Sequence, residues 1–397
     1  MQFGEFGKKY LLLGLRIGKL IDGYIDAYYG PPELKNMVDK ESTQSPKKLL
    51  TACKDLQKKL SHQEFVDERV KFLGKILRAM ETSLEFLNGK KIPYLEQVYR
   101  IYDIKPELTD DSVFYNLTNM LDNLYEGPGS LAERLDTIQK KRDVSENKIE
   151  ITFRRATEIV REQSKKLFPG LLPDGEEFAI NLVKNEPWGA YNWYLGNFKS
   201  KIDVNTDIPN DWAKILLTAA HEGYPGHHME HAVKEKLLYI EEQRFEHCIL
   251  LVPTPEAVIS EGLANTGLDV LFSPQEIAKI SLEELCLDPK DEYSLDKLVA
   301  EREAIKKAYA LLNNIAILAH VEEWSDDQLI KYVLNFGLIT KKRLKQHLIF
   351  IHHPLWSTYV FNYFIGEMMI KKKFGQRPSP EDFKMLLTRP ILPSDLL

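Results

Sequence analysis

Apolar residues recur at helical spacing through nearly the whole chain, interrupted only where proline and glycine stop the pattern, and that rhythm confines the sequence to a mainly α fold. Residues 5–28 place apolar side chains three to four apart until Gly30-Pro31-Pro32. Segments near 46–60, 64–88 and 93–103 read as amphipathic helices whose Lys and Glu residues face solvent. Asp110-Asp111-Ser112 opens another helix that ends at Glu126-Gly127-Pro128-Gly129, and one long helix is expected from about 130 to 167. After 210 the pattern is helical again, with breaks near 251–255, 288–292, 325 and 353–354.

One stretch departs from this rhythm. Phe178–Val183, Ala190–Leu195 and Lys199–Val204 are aromatic or β-branched, roughly alternating, and separated by Glu186-Pro187 and Gly196-Asn197. They predict a small antiparallel β-sheet near residues 177–207. No internal repeat or low-complexity linker divides the chain. The expectation is a single mostly helical domain over 1–397, with a helical part at 1–176 and the sheet and remaining helices at 177–397.

Composition excludes several classes of function. The 397 residues are 44% hydrophobic and 28% charged, ordinary for a chain with a sizeable core. A net charge of -6, from 53 basic and 59 acidic residues, does not suit a nucleic-acid-binding surface. No run approaches the ~18 apolar residues of a membrane span. The N-terminal apolar stretch is short and lacks a small-residue cleavage site, unlike a signal peptide. Cys53, Cys248 and Cys286 are far apart and odd in number, which fits unpaired core thiols in a reducing, cytoplasmic setting. Oligomeric state is not readable from the sequence.

Chemistry concentrates at His221-Glu222-Gly-Tyr-Pro-Gly-His227-His228, and four of the ten histidines fall within 221–231. Asn210 or Asp211 caps the helix that carries His221, with Trp212, Ile215, Leu216 and Ala219 as its buried stripe. A usual zinc helix places a second histidine at i+4, on the same face. Here that position is Pro225. On an unbroken helix His228 would point nearly the same way as His221, about 10 Å further along the axis. Pro225 cannot donate to the His221 carbonyl, however, and Gly223 and Gly226 flank it. A two-residue bulge at Tyr224-Pro225 would put His227 where i+4 normally lies. The geometry therefore favours His227 as ligand and leaves His228 as the alternative.

A third ligand is expected from Glu261, a carboxylate on an otherwise apolar helical stripe with Ala257, Ala264, Leu268 and Leu271. Such a group is costly to bury unless it is paired or coordinated. His221, His227 and Glu261 would hold one Zn2+ with an open position for water, and Glu222 would serve as general base. The reading is a zinc metallopeptidase, a hydrolase acting on a peptide substrate.

The same octapeptide resembles the H-E-x-x-P-G-H-H signature of the domain-of-unknown-function family 885. That family is similar in fold to gluzincin carboxypeptidases of the thermostable, Taq type, and more distantly to thimet-type oligopeptidases. Gly226-His227 matches the Gly-His that closes H-E-x-G-H in those relatives, which implies His227 as the second ligand. Ser260-Glu261-Gly262-Leu263-Ala264 resembles the family's S-E-G-W-A segment, with Leu263 in place of Trp. Tyr363-Phe-Ile-Gly366 resembles its Y-K-x-G segment and implies that Tyr363 stabilises the oxyanion, although Ser357-Thr358-Tyr359 stands where the family has P-G-Q. The resemblance runs from about 185 to 370 and implies peptide hydrolysis, with carboxypeptidase action on short peptides.

Other features carry less. Trp188-Gly189-Ala190-Tyr191 fits either a substrate-pairing edge strand or ordinary hairpin packing. His352-His353 could meet a substrate carboxylate, and Tyr359 shares a helical face with Tyr363. A carboxylate-bridged metal oxidase would need a second E-x-x-H helix, which is not found. A catalytically inactive scaffold of the same fold is disfavoured by the intact His-Glu-His and Glu261.

Overall fold

The computed structural model describes residues 4–186, 188–287, 293–354 and 356–397. The expected break at 288–292, Pro187 of the first strand separator, and residues 1–3 of the N-terminal stretch lie outside the described residues. The fold is mainly helical, and the described residues include one two-stranded and one three-stranded sheet.

Helix α1 (Glu5–Gly18) is shorter than the expected 5–28, because its last residues belong to strand β1 (Ile25–Tyr28). Asp22-Gly23 makes a turn, with Gly23 at φ +70°, where a side chain is disfavoured. Leu20, Ile21, Tyr24 and Tyr28 preserve helical spacing across that turn and hide it in the sequence. Helices α2 (Pro32–Lys40), α3 (Pro46–Leu60), α4 (Asp67–Leu87) and α5 (Tyr94–Tyr102) follow, then α6 (Asp111–Leu124), whose Asp110 cap accepts from the Ser112 N–H at 2.8 Å.

The single helix expected from 130 to 167 is two, α7 (Leu131–Lys141) and α8 (Glu146–Leu167). The residues between them are taken by another part of the chain. Trp212 N–H donates to the Arg142 carbonyl (3.1 Å) and Val144 N–H to the Asn210 carbonyl (3.0 Å). The buried Arg142 side chain donates to Glu301 (2.8 Å) and to the Tyr125 hydroxyl (3.1 Å). This pairing anchors the start of the helix that carries His221.

Strands β2 (Glu177–Val183), β3 (Ala190–Gly196) and β4 (Lys199–Asn205) form a sheet in the order β2-β4-β3. It is mixed, which corrects the antiparallel expectation: β3 pairs antiparallel with β4, and β2 pairs parallel with it. Two chain reversals leave β4 running with β2, and β4 then inserts between its predecessors. Side-chain alternation reports a strand's faces but not its neighbours. A further strand, β5 (Ile249–Leu251), pairs antiparallel with β1. The C-terminal region is therefore not helical throughout.

The helices around the site are α9 (Trp212–Glu222), α10 (His227–Lys234) and α11 (Pro255–Leu271). Helices α12 (Pro274–Ile280), α13 (Leu295–Ala308), α14 (Ala310–His320), α15 (Asp326–Leu334), α16 (Lys341–Ile351), α17 (Asn362–Phe374) and α18 (Pro380–Thr388) complete the chain. One apolar cluster joins α5, α6, α8, α9, α11 and the later helices. A second packs α1, α3 and α4 against β5. Cys53, Cys248 and Cys286 are all buried, and no disulfide joins them. Among the described residues no helix is long and apolar enough to cross a membrane.

Helices α11 and α17 touch backbone to backbone. A Cβ on Gly366 would overlap the Val258 carbonyl oxygen and sit 2.9 Å from Gly262 N. Backbone atoms cannot move aside as a side chain can, so Gly366→Ala is expected to lower stability by about 2–3 kcal/mol. Gly74, inside α4, meets nothing closer than Leu60 Cδ2 at 3.7 Å. Gly74→Ala should raise stability by about 0.5–1 kcal/mol. Urea unfolding of the two variants measures both, and a Gly366→Ala midpoint at or above wild type would contradict the close crossing.

Candidate metal centre

Helix α9 delivers His221 and Glu222 at its C-terminal end. Asp211 caps its start by accepting from Ala213 N–H (3.0 Å), and Trp212, Ile215, Leu216 and Ala219 bury its inner face. The helix ends because Pro225 has no N–H to offer the His221 carbonyl. Gly223 N–H closes on Ala219 O (3.0 Å) and Gly226 N–H on Ala220 O (2.9 Å), after which α10 begins at His227. The chain thus leaves the helix completely over 223–226, in place of the expected two-residue bulge. A Cβ on Gly226 would overlap the His221 carbonyl oxygen, so the close return of the backbone requires glycine there.

The return brings His227 against His221, with ring centroids 4.7 Å apart. Glu261, on α11, completes the group: one ligand atom from each of His221, His227 and Glu261 lies within 4.8 Å of the others. His221 Nε2 is 3.6 Å from Glu261 Oε2.

Hydrogen bonds behind the three residues point their lone pairs inward. Asn265 donates through Nδ2 to the Tyr363 carbonyl (2.9 Å), so its Oδ1 faces His221 Nδ1 at 3.1 Å and accepts from it. The Ser260 hydroxyl donates to Glu230 (2.6 Å) and can accept from His227 Nδ1 at 3.1 Å. Both imidazoles therefore carry hydrogen on Nδ1 and keep Nε2 as an acceptor. Tyr359 donates to Glu261 Oε1 (2.8 Å), while Glu261 Oε2 is buried with no hydrogen-bond partner among the described residues. An orphaned carboxylate oxygen beside two inward-facing imidazole nitrogens suits a tetrahedral cation with a vacant fourth position.

The electrostatics agree with this donor set. Burial first, then the neighbouring His227, pushes His221 down to about 3, and burial followed by His231 takes His227 to about 4. Both are neutral near pH 7, as metal ligation requires. Burial raises Glu261 to about 7 against the lowering effect of Tyr359, with the Glu230 and Asp26 charges adding to the rise. Glu222, 8% exposed, is raised to about 8 by burial and then by Glu261. These carboxylates occupy a dry region whose compensating positive charge would come from an ion.

His228 is not part of the group. It is fully buried, with Nδ1 2.8 Å from Ser200 Oγ and Nε2 3.1 Å from Glu176. Tyr363 lies on α17, 39% exposed, with its ring 5.5 Å from Tyr359. The surrounding protein, then the Glu261 and Glu222 charges, hold its phenol well above the ordinary tyrosine value. Strand β3 is the edge strand beside the site, and Asn192 Nδ2 donates to the Glu222 carbonyl at 2.5 Å. His352 instead meets Asp326 at 2.7 Å, and His353 accepts from Trp356 N–H at 3.2 Å.

Sequence reasoning missed Ser260, Asn265 and Glu230, and it gave Tyr359 no role in holding Glu261. A weak signal existed for Asn265, a polar residue one turn after Glu261 on an apolar stripe. Ser260 and Glu230 depend on how α10 meets α11, and no local pattern records that.

No protein-family model matches the chain, and no curated protein matches it. Among solved structures it is similar to the crystal structure of "the putative lipoprotein from Colwellia psychrerythraea", at 12% identity and a TM-score of 0.53. The alignment covers 92% of this chain and 68% of that one. At such identity the likeness is one of fold.

Proposed function

We propose that the chain is a zinc-dependent hydrolase of peptide bonds. The observation that carries this reading is the convergence of His221, His227 and Glu261 donors within 4.8 Å, with Glu222 adjacent to the first ligand on the same helix. The resemblance of these residues to the family 885 and gluzincin motifs supports it. Bound zinc would supply Lewis acidity and lower the pKa of a bound water towards ~7.

The protein's own residues account for the remaining steps. Glu222 accepts a proton from the attacking water on its carboxylate and returns it to the leaving amine. Its burial suits this exchange, because a carboxylate of raised pKa both takes and releases a proton near neutrality. Tyr363, kept protonated, donates from its hydroxyl towards the developing oxyanion. Tyr359, Asn265 and the Ser260–Glu230 pair hold the ligands in place. As an edge strand of its sheet, β3 would offer backbone groups to an extended peptide.

Glu222→Gln is expected to keep one equivalent of zinc and to lose about 10²–10⁴-fold in kcat. Metal analysis combined with peptide-library digestion read by mass spectrometry tests this, and wild-type turnover in the variant would exclude Glu222 as the base. Glu261→Ala should lose the ion. Ser260→Ala, which frees His227 Nδ1, should weaken zinc binding by about 10–100-fold in a chelator competition. Undiminished affinity in Ser260→Ala would show that the hydroxyl does not orient the ligand.

A further inference from the structure

Asp26 is a carboxylate for which the hydrolytic steps have no use. It is the extra residue of β1 at the irregularity between Ile25 and Ala27, opposite β5. Its Oδ1 accepts the hydroxyl of Tyr191, on β3. Among the described residues it has no ion pair, and burial raises its pKa against the opposing effect of Tyr191. An uncompensated carboxylate in such surroundings is costly unless something cationic meets it.

Its place ties it to the metal centre. Tyr191 is followed by Asn192, which donates to the Glu222 carbonyl at 2.5 Å. The Tyr191 phenol is raised by burial, then by Asp26, Glu222 and Tyr363. Asp26 and Tyr191 are both half-buried, so neither is sealed from an entering ligand. Among the described residues no Lys or Arg forms an ion pair with Glu222, Glu261 or Asp26, and Glu261 meets only His221, at 3.6 Å. A divalent ion would answer Glu261, and Glu222 cycles a proton. Asp26 remains unanswered.

We infer that Asp26, oriented by the Tyr191 hydroxyl, binds a cationic nitrogen of the substrate, either a terminal ammonium or a lysine side chain. This rests on the reading of the site as a peptide hydrolase and narrows its substrates to peptides with an ammonium group near the scissile bond. It also turns preference away from the carboxypeptidase action that the family resemblance implies. A terminal carboxylate would meet like charge at this wall.

The test is calorimetric binding to the zinc-loaded Glu222→Gln protein, which holds peptides without cleaving them. Three matched C-terminally amidated probes are used: a short peptide whose one charge is its free amino terminus, its uncharged N-acetyl form, and an N-acetyl peptide carrying lysine. At least one cationic probe should bind about tenfold more tightly than the neutral acetylated one, as a charge-assisted contact implies. The tighter of the two identifies the source of the cation. Adding Asp26→Asn should abolish the difference at unchanged zinc stoichiometry. Adding Tyr191→Phe, which keeps the carboxylate, should narrow it. Equal binding of all three probes, a full preference in either variant, or loss of zinc in Asp26→Asn would overturn the inference. Turnover of the probes by the wild-type protein is read separately. Binding preference without any cleavage would sink the hydrolase reading and leave the cation site standing.

Discussion

The close crossing of α11 and α17 at Gly262 and Gly366 is the constraint on which the site depends. Glu261 directly precedes Gly262, and Tyr363 lies about one turn before Gly366 on the facing helix. With a side chain at either glycine the two axes would have to separate, because the opposing atoms are backbone. Separation would take Tyr359 from Glu261 Oε1 and the Tyr363 carbonyl from Asn265. The glycines therefore set, through packing alone, how far a carboxylate that can hold an ion lies from the helix that carries Tyr363. Two residues without side chains thus govern the placement of four that have them.

Charge is handled differently on the two sides of this crossing. Behind His227, Glu230 is neutralised by Lys234 (2.7 Å), which is also 3.6 Å from Glu256. That side is a closed network in which each buried charge has a partner, and it can orient a histidine without itself seeking a ligand. On the open side Glu222, Glu261 and Asp26 have no Lys or Arg ion-pair partner among the described residues. Protein interiors tolerate such an arrangement where a ligand completes it. The contrast separates residues that support the site from residues that await something in it.

Much of the fold was legible because helices announce their ends. Asp110 and Asp211 cap where the sequence suggests, each accepting a backbone N–H. What escaped was decided at long range. The break between α7 and α8 exists because residues 142–144 pair with 210–212, and β4 lies between β2 and β3 for reasons that alternation cannot express. The site divides in the same way. His221, Glu222, His227 and Glu261 could be picked out from helical angle, a misplaced proline and a carboxylate on an apolar stripe. Asp26 could not, because its stretch keeps helical spacing and its significance comes only from Tyr191 on another sheet.

The broken helix explains why this centre can differ from one built on an uninterrupted H-E-x-x-H turn. On a single helix both histidines share one axis, and their rotamers are tied to each other through the i, i+4 relation. Here Pro225 ends α9 after Glu222, so α10 approaches along its own direction and its register is free to differ. That freedom settles which histidine enters the cluster: His227, the first residue of α10, turns towards His221, while His228 turns towards Glu176 and Ser200. The neighbour is thereby used to fasten α10 to the sheet and to α8, since Arg161 of α8 also binds Glu176 through its Nε at 2.8 Å. One turn further on, Glu230 faces α11 and reaches Ser260, which an extension of α9 could not have supplied at that position. Breaking the helix gives up regular i, i+4 hydrogen bonding over 223–226 and, in exchange, places an orienting carboxylate, a structural histidine and a candidate ligand within four consecutive residues.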